Sequence, residues 1–128
     1  VLLPVLKGHR EPAWNWYAGR GSLVHGWRGI PEPGGPPLPS SALGACTFVW
    51  VSALLATPGG YRLGTGGGWY DRALAHADPD AVRGTLVGEA ELVDAVPLEA
   101  WDLPVDLVVT PSATIVTGAR GVRTPSAE

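Results

Sequence analysis

Five of the first six positions are Val or Leu, broken only by Pro4, and the turn-like Lys7-Gly8-His9-Arg10 follows. Residues 1–6 therefore predict a buried strand, central only if neighbours cover both of its faces. Large and polar residues alternate along Trp14-Asn15-Trp16-Tyr17, and Ser22-Leu23-Val24-His25 follows after Gly19-Arg20-Gly21. These two runs predict edge strands or a hairpin. Residues 29–39 are dominated by Pro and Gly, whose fixed φ and missing N–H groups predict an irregular loop. The most apolar stretch, 46–55, holds Thr47, Phe48, Val49, Trp50 and Val51 and predicts the central strand, ended by Pro58-Gly59-Gly60. Over 69–77, Ala73 and Leu74 follow Tyr70 on one helical face and Asp71 lies in the first turn, so a helix is predicted that stops before Asp78-Pro79. Residues 84–87 and 105–110 predict two more core strands, and 113–116 a short one. Strand, glycine loop, helix, strand is the order of a right-handed β-α-β crossover, so the class is α/β with a mainly parallel sheet. The segment 118–128 lacks an apolar period and reads as a flexible tail.

Composition narrows this picture. A chain of 128 residues is the size of one domain, and 45% hydrophobic against 16% charged residues excludes a wholly disordered chain. The 18 Gly and 13 Pro point to many loops, while six Trp supply apolar surface that a linker has no use for. Net charge is −3 and the Arg residues are scattered, so no basic stripe argues for nucleic acid. The longest uncharged apolar run, 42–56, is too short for a membrane-spanning helix. A single Cys46 and no signal-peptide pattern fit a reducing cytoplasm. The chain has no Met and opens inside an apolar run, so further chain is expected before Val1.

The strongest chemical signal is Gly64, Gly66, Gly67 and Gly68, four glycines within five positions, directly ahead of the predicted helix. Such a loop turns through positive φ and brings its N–H groups close to a ligand, which suits phosphate. It lacks the Gly-Lys-Ser/Thr ending of a P-loop, and Trp69 stands where a dinucleotide fingerprint has its third glycine. Arg62 and Arg72 bracket the loop and could supply forked donors; the plain alternative is a tight strand-to-helix turn. Asp71 and Asp102, with Asp106 beyond, are hard oxygen ligands suited to Mg²⁺, or else a helix first-turn acid and a turn residue. Glu32, between Pro31 and Pro33, either meets a ligand amine or faces water. Trp14, Trp16, Trp27 and Tyr61 could stack a flat heterocycle or serve as core and rim. His9, His25 and His76 follow no ligand or triad spacing, and Cys46 reads as an inert core thiol.

Arg62-Leu63-Gly64-Thr65-Gly66-Gly67-Gly68-Trp69-Tyr70-Asp71-Arg72, together with residues 96–106 and Val109-Thr110, resembles the 5-formyltetrahydrofolate cyclo-ligase family, also called 5,10-methenyltetrahydrofolate synthetase. Residues 1–6 and Gly29-Ile30-Pro31-Glu32-Pro33 are similar to the family's earlier strand and Pro-Glu-Pro loop, so the likeness covers 1–117. The resemblance implies a three-layer α/β/α sandwich of the NagB/RpiA/CoA-transferase type and Mg-ATP-dependent ring closure of 5-formyltetrahydrofolate. It carries the ATP loop onto Arg62, Leu63, Gly64, Thr65, Gly66, Gly67, Gly68, Trp69 and Tyr70, with Arg62 and Asp71 catalytic. It carries the Mg²⁺ aspartates onto Asp71 and Asp102. In such a reaction the formyl oxygen attacks the γ-phosphate, N10 closes the ring, and 5,10-methenyltetrahydrofolate, ADP and phosphate result. The implied partners are the two small molecules, without nucleic acid or membrane, in a monomer or homodimer.

The family normally has a further stretch before the first strand, with a Lys/Arg segment that contacts ATP. Ser52 stands where the family usually has Pro, Thr57 where it often has Asp, and Glu91 where Gln is frequent. These departures keep a second reading open, a non-catalytic nucleotide- or folate-binding module or shortened paralogue of the same fold.

Overall fold

The Val/Leu run at the start forms strand β1 (Leu2–Val5) in the computed structural model, which describes residues 1–6, 11–65, 67–121 and 125. The turn read at 7–10, Gly66 of the loop, and most of 122–128 lie outside the described residues. Contacts divide the chain into one unit of Val1–Cys46 with Arg72–Asp78 and another of Thr47–Asp71 with Pro79–Glu128.

In the first unit β1 is not central. It pairs antiparallel with β2 (Ala13–Trp16), and within it only Val5 is buried. The Trp14 and Leu23 segments do not pair as a hairpin, because β3 (Leu23–His25) takes β4 (Pro31–Pro33) as its partner. The Pro-rich loop thus contains a strand. In a two-stranded ribbon one side of each strand makes no ladder bonds, so two prolines are tolerated there. Glu32, between them, is 5% exposed and accepts the Leu6 N–H at 3.1 Å, so the carboxylate does not face water.

The second unit holds a four-stranded sheet in the order β10 (Thr114–Val116), β9 (Leu107–Val109), β8 (Val82–Leu86), β5 (Phe48–Trp50). Strands β5, β8 and β9 run parallel and β10 antiparallel, so the sheet is mixed rather than simply parallel. The most apolar segment, expected at the centre, supplies the end strand β5, and β8 and β9 are central. Alternation explains the core: Val49, Arg83, Thr85 and Val108 share one face and are 5, 7, 0 and 0% exposed. On the other face, Phe48 and Trp50 lie 4.7 Å apart over Gly84, where a Cβ would come within 2.9 Å of the Trp50 ring. That packing explains a glycine in mid-strand.

Between β5 and β8 the chain makes an unforeseen hairpin, β6 (Leu55–Ala56) with β7 (Arg62–Leu63). Its turn closes through Gly60 N–H to the Thr57 carbonyl at 3.0 Å, with Gly60 at φ 96°. Gly60 must be glycine on two counts, since a Cβ there would sit 2.5 Å from the Val105 carbonyl oxygen. Helix α1 (Trp69–Leu74) ends three residues short of the expected Ala77. Beyond it His76 and Ala77 donate to the carbonyls of Ala73 and Leu74, a tighter three-residue closure that ends the α-helical ladder. Among the described residues no helix is long and apolar enough to cross a membrane.

Within the segment read as a tail, Arg120 donates to the carbonyls of Pro79 and Ala81 and to Asp106 Oδ2, the last at 2.7 Å. The Asp106 side chain has no solvent exposure and also accepts the Arg83 N–H at 2.9 Å. Removing the guanidinium would strand a buried carboxylate, which costs several kcal/mol. Arg120→Ala is expected to lower unfolding free energy by about 3 kcal/mol in urea titrations; an unchanged midpoint would show that this pair does not hold 118–121 in place.

Candidate functional site

The glycine loop is positioned by the hairpin before it and the helix after it. β7 ends at Leu63, the loop crosses 64–68, and α1 begins at Trp69. Gly67 and Gly68 take φ 79° and 65°, the left-handed region that side chains resist, so two glycines in succession are what this approach to the helix requires. Thr65 and Gly67 are exposed and nothing stands within 4 Å of a Cβ placed on Gly67. The side of Gly67 that a Cβ would occupy is therefore open space. Helix α1 has six residues, too few for a strong macrodipole, so any hold on an anion rests on the loop amides and on nearby side chains.

Arg62 is the nearest such side chain in sequence and is 8% exposed. Its Nη2 donates to Asp71 Oδ1 at 3.0 Å, and the same oxygen accepts the Leu103 N–H at 3.1 Å. One carboxylate oxygen thus ties β7, α1 and the 99–104 turn together. Arg62 Cζ lies 5.9 Å from the centroid of the Tyr70 ring, and the Tyr70 and Trp69 ring centroids are 4.9 Å apart with their planes at 75°. Burial lowers the Arg62 pKa, opposed by the charges of Asp71, Asp102 and Tyr70. Burial raises that of Tyr70, opposed by a side-chain hydrogen bond with Ser52 and by the Arg62 charge. Among the described residues Arg62 Nε is buried without a hydrogen-bond partner. A buried unmet donor costs about 1–3 kcal/mol, and an incoming anion would recover that cost.

Asp102 lies in the adjoining turn, where its N–H donates to the Glu99 carbonyl at 3.0 Å and its Oδ2 accepts the Glu99 N–H at 2.8 Å. Both plain readings hold, Asp71 as a first-turn acid and Asp102 as a turn residue, and both charges still act on Arg62. Asp106 does not join them. It is occupied by Arg83 and Arg120. Among the described residues no cluster of three or more His, Cys, Asp or Glu could hold a metal ion. A site here would be of the sparse kind that Mg²⁺ accepts, one or two carboxylates with water and phosphate.

The remaining candidates disperse. Arg72 is an exposed residue of α1. Trp14 is core at 4% exposure, while Trp16, Trp27 and Tyr61 are exposed at 55, 46 and 36%. His25 and His76 are exposed, His9 is outside the described residues, and Cys46 is a free thiol of intermediate exposure. Of the departures, Thr57 accepts the Tyr61 N–H at 3.3 Å within its own hairpin and Glu91 accepts the Gly88 N–H at 2.6 Å. One contact escaped sequence reading: the Leu103 N–H to Asp71, a backbone group without a sequence signature.

Fold and site together define an α/β protein with a mixed sheet and a glycine-rich loop braced by a buried Arg-Asp pair. The family model for 5-formyltetrahydrofolate cyclo-ligase matches residues 1–111, and the chain belongs to that family. A 5-formyltetrahydrofolate cyclo-ligase of Mycolicibacterium smegmatis is 37% identical over 91% of this chain and 62% of its own length. One from Escherichia coli K12 is 45% identical over 41% of this chain and 30% of its own. The solution structure of Aquifex aeolicus 5,10-methenyltetrahydrofolate synthetase superposes with a TM-score of 0.74 at 27% identity, covering 98% of this chain and 61% of that one. The chain thus spans under two thirds of the length of the relatives it matches over most of its own.

The pair is a testable unit of stability. Asp71→Ala should cost about 3 kcal/mol by leaving Arg62 charged and buried, and Arg62→Met added to it should recover at least half of that loss. Chemical unfolding of the two singles and the double measures this, and simple additivity would show the ion pair to be energetically idle.

Proposed function

We propose that this protein is a Mg-ATP-dependent ligase that closes 5-formyltetrahydrofolate to 5,10-methenyltetrahydrofolate, releasing ADP and phosphate. The observation that carries the reading is the glycine loop, exposed at Thr65 and Gly67, next to a buried guanidinium whose Nε has no hydrogen-bond partner among the described residues. Family membership supplies the reaction class. The same reading assigns the complete protein a three-layer α/β/α sandwich of the NagB/RpiA/CoA-transferase type and a place in the cytoplasm, and it leaves both a monomer and a homodimer open.

In this reading Arg62, Leu63, Gly64, Thr65, Gly66, Gly67, Gly68, Trp69 and Tyr70 form the nucleotide loop. Backbone N–H groups of the loop donate to phosphoryl oxygens, a role suited to a glycine-rich turn ahead of a helix. Arg62 Nε and Nη groups face the same charge. Asp71 and Asp102 hold magnesium, which fits a donor set of hard carboxylate oxygens beside a phosphate loop. The ion supplies charge neutralisation along the polyphosphate. Asp71 keeps Oδ1 engaged with Arg62 and Leu103, so its orientation is fixed before any ligand arrives. The chain's own task is placement: the γ-phosphate is held beside the formyl oxygen, and N10 of the same folate supplies the second nucleophile. No protein nucleophile is required.

Incubation with 5-formyltetrahydrofolate, ATP and magnesium should produce the absorbance of the methenyl product. ATP binding without product would instead favour the non-catalytic module. Asp71→Asn is expected to weaken ATP binding in magnesium by about a hundredfold, the size of a lost charge-assisted contact. An unchanged calorimetric titration removes Asp71 from the metal site.

A further inference from the structure

Residues 99–106 belong to no helix or strand, although Asp102 and the Leu103 N–H stand at the site. No ladder places this stretch, so its position rests on separate bonds. Val105 is their centre. It has no solvent exposure, and its N–H donates to the Gly60 carbonyl at 2.8 Å, in the turn of the β6–β7 hairpin. A Cβ on Gly60 would stand 2.5 Å from the Val105 carbonyl oxygen and 3.0 Å from Thr117 Oγ1, so three segments meet here at backbone distance. Arg62 is two residues beyond Gly60, and Leu103, whose N–H donates to Asp71 Oδ1, is two residues before Val105. This junction is a second joint between the arginine strand and the aspartate turn, besides the Asp71 carboxylate.

Thr117, just after β10, closes the joint from its third side. Its hydroxyl donates to the Val105 carbonyl at 2.7 Å, and its N–H donates to the next carbonyl, that of Asp106, at 2.9 Å. The Ala119 N–H donates to the same hydroxyl oxygen at 3.3 Å, which favours one rotamer of the side chain. Because Val105 is wholly buried, a lost hydroxyl leaves its carbonyl without a bond that water could replace. Pro104 lies between Val105 and Leu103, and its ring fixes one of the few torsions that could absorb a shift. Movement at Val105 therefore passes toward the Leu103 N–H and Asp102.

We propose that Thr117 is a positioning residue of the nucleotide site: by holding the Val105 and Asp106 carbonyls it sets where Asp102 and the Leu103 N–H stand against Asp71 and Arg62. This rests on the nucleotide reading given above and adds to it a residue that acts through others. Thr117 lies beyond the residues 1–111 that the family model matches, so the role comes from this chain's own hydrogen bonds.

The test is calorimetric titration of the intact protein with ATP across a range of magnesium concentrations. Thr117→Val keeps the branched shape and removes the hydroxyl. It should raise the magnesium needed for half-maximal binding about fivefold, the scale of one neutral hydrogen bond, and leave ATP affinity at saturating magnesium unchanged. Thr117→Ser, which keeps the hydroxyl, should restore the magnesium requirement. An unaltered requirement in Thr117→Val overturns the proposal, as does a failure of Thr117→Ser to restore it. Equal weakening at every magnesium concentration also overturns it, since that marks general loosening of the fold. Should Thr117→Val not fold, amide hydrogen exchange of the unmodified protein decides: magnesium and ATP together should slow exchange at Leu103, Val105 and Thr117, and protection at Leu103 alone overturns the role. If the unmodified protein binds no ATP at any magnesium concentration, the nucleotide reading itself fails and takes this role with it, an outcome distinct from normal binding by both variants.

Discussion

One oxygen atom organises this site. Asp71 Oδ1 accepts from Arg62 and from the Leu103 backbone, so the strand before the glycine loop, the helix after it and a distant turn share a single anchor. Arg62 is buried, and a buried guanidinium is tolerated only beside compensating charge, which Asp71 and Asp102 provide. The loop between can therefore stay exposed and be built almost wholly of glycine, because its two ends are held by charge and hydrogen bonding rather than by its own packing. Among the described residues the same arrangement leaves Arg62 Nε without a partner, a local cost of the kind that functional sites carry.

Much of the fold could be read from residue patterns, and the failures have particular causes. The strands at 82–86 and 107–109 were visible because β-branched residues alternate or run together between turn signals. The order of strands was not visible. The most apolar segment became an end strand, because apolar content reports burial and says nothing of which neighbours do the burying. Prolines concealed β4, whose two-stranded partnership asks for few donors. The hairpin of β6 and β7 was hidden in four short residues around a Pro-Gly-Gly turn, yet it is what delivers Arg62 to the loop.

The site was legible where chemistry is written in residue types and spacing. Four glycines, a flanking arginine and an acid in the helix's first turn stand together in the sequence, and Arg62 and Asp71 are joined in the structure. Long-range backbone contacts left no trace. Nothing in Leu103 foretells that its N–H meets Asp71, and nothing near Asp106 foretells its pairing with Arg120. That second pairing separates two aspartates that sequence places four positions apart: Asp106 pairs with Arg120 just ahead of β9, while Asp102 closes the turn at Glu99.

The central claim is that the braced loop holds the phosphates of ATP. The most direct measurement is a structure of the protein with magnesium and a non-hydrolysable ATP analogue. The account predicts phosphoryl oxygens on the amides of 64–68 and on Arg62, with a carboxylate oxygen of Asp71 at about 2.1 Å from the ion. A nucleotide bound elsewhere, or a loop whose amides stay turned from it while Arg62 and Asp71 remain paired only to each other, would contradict it.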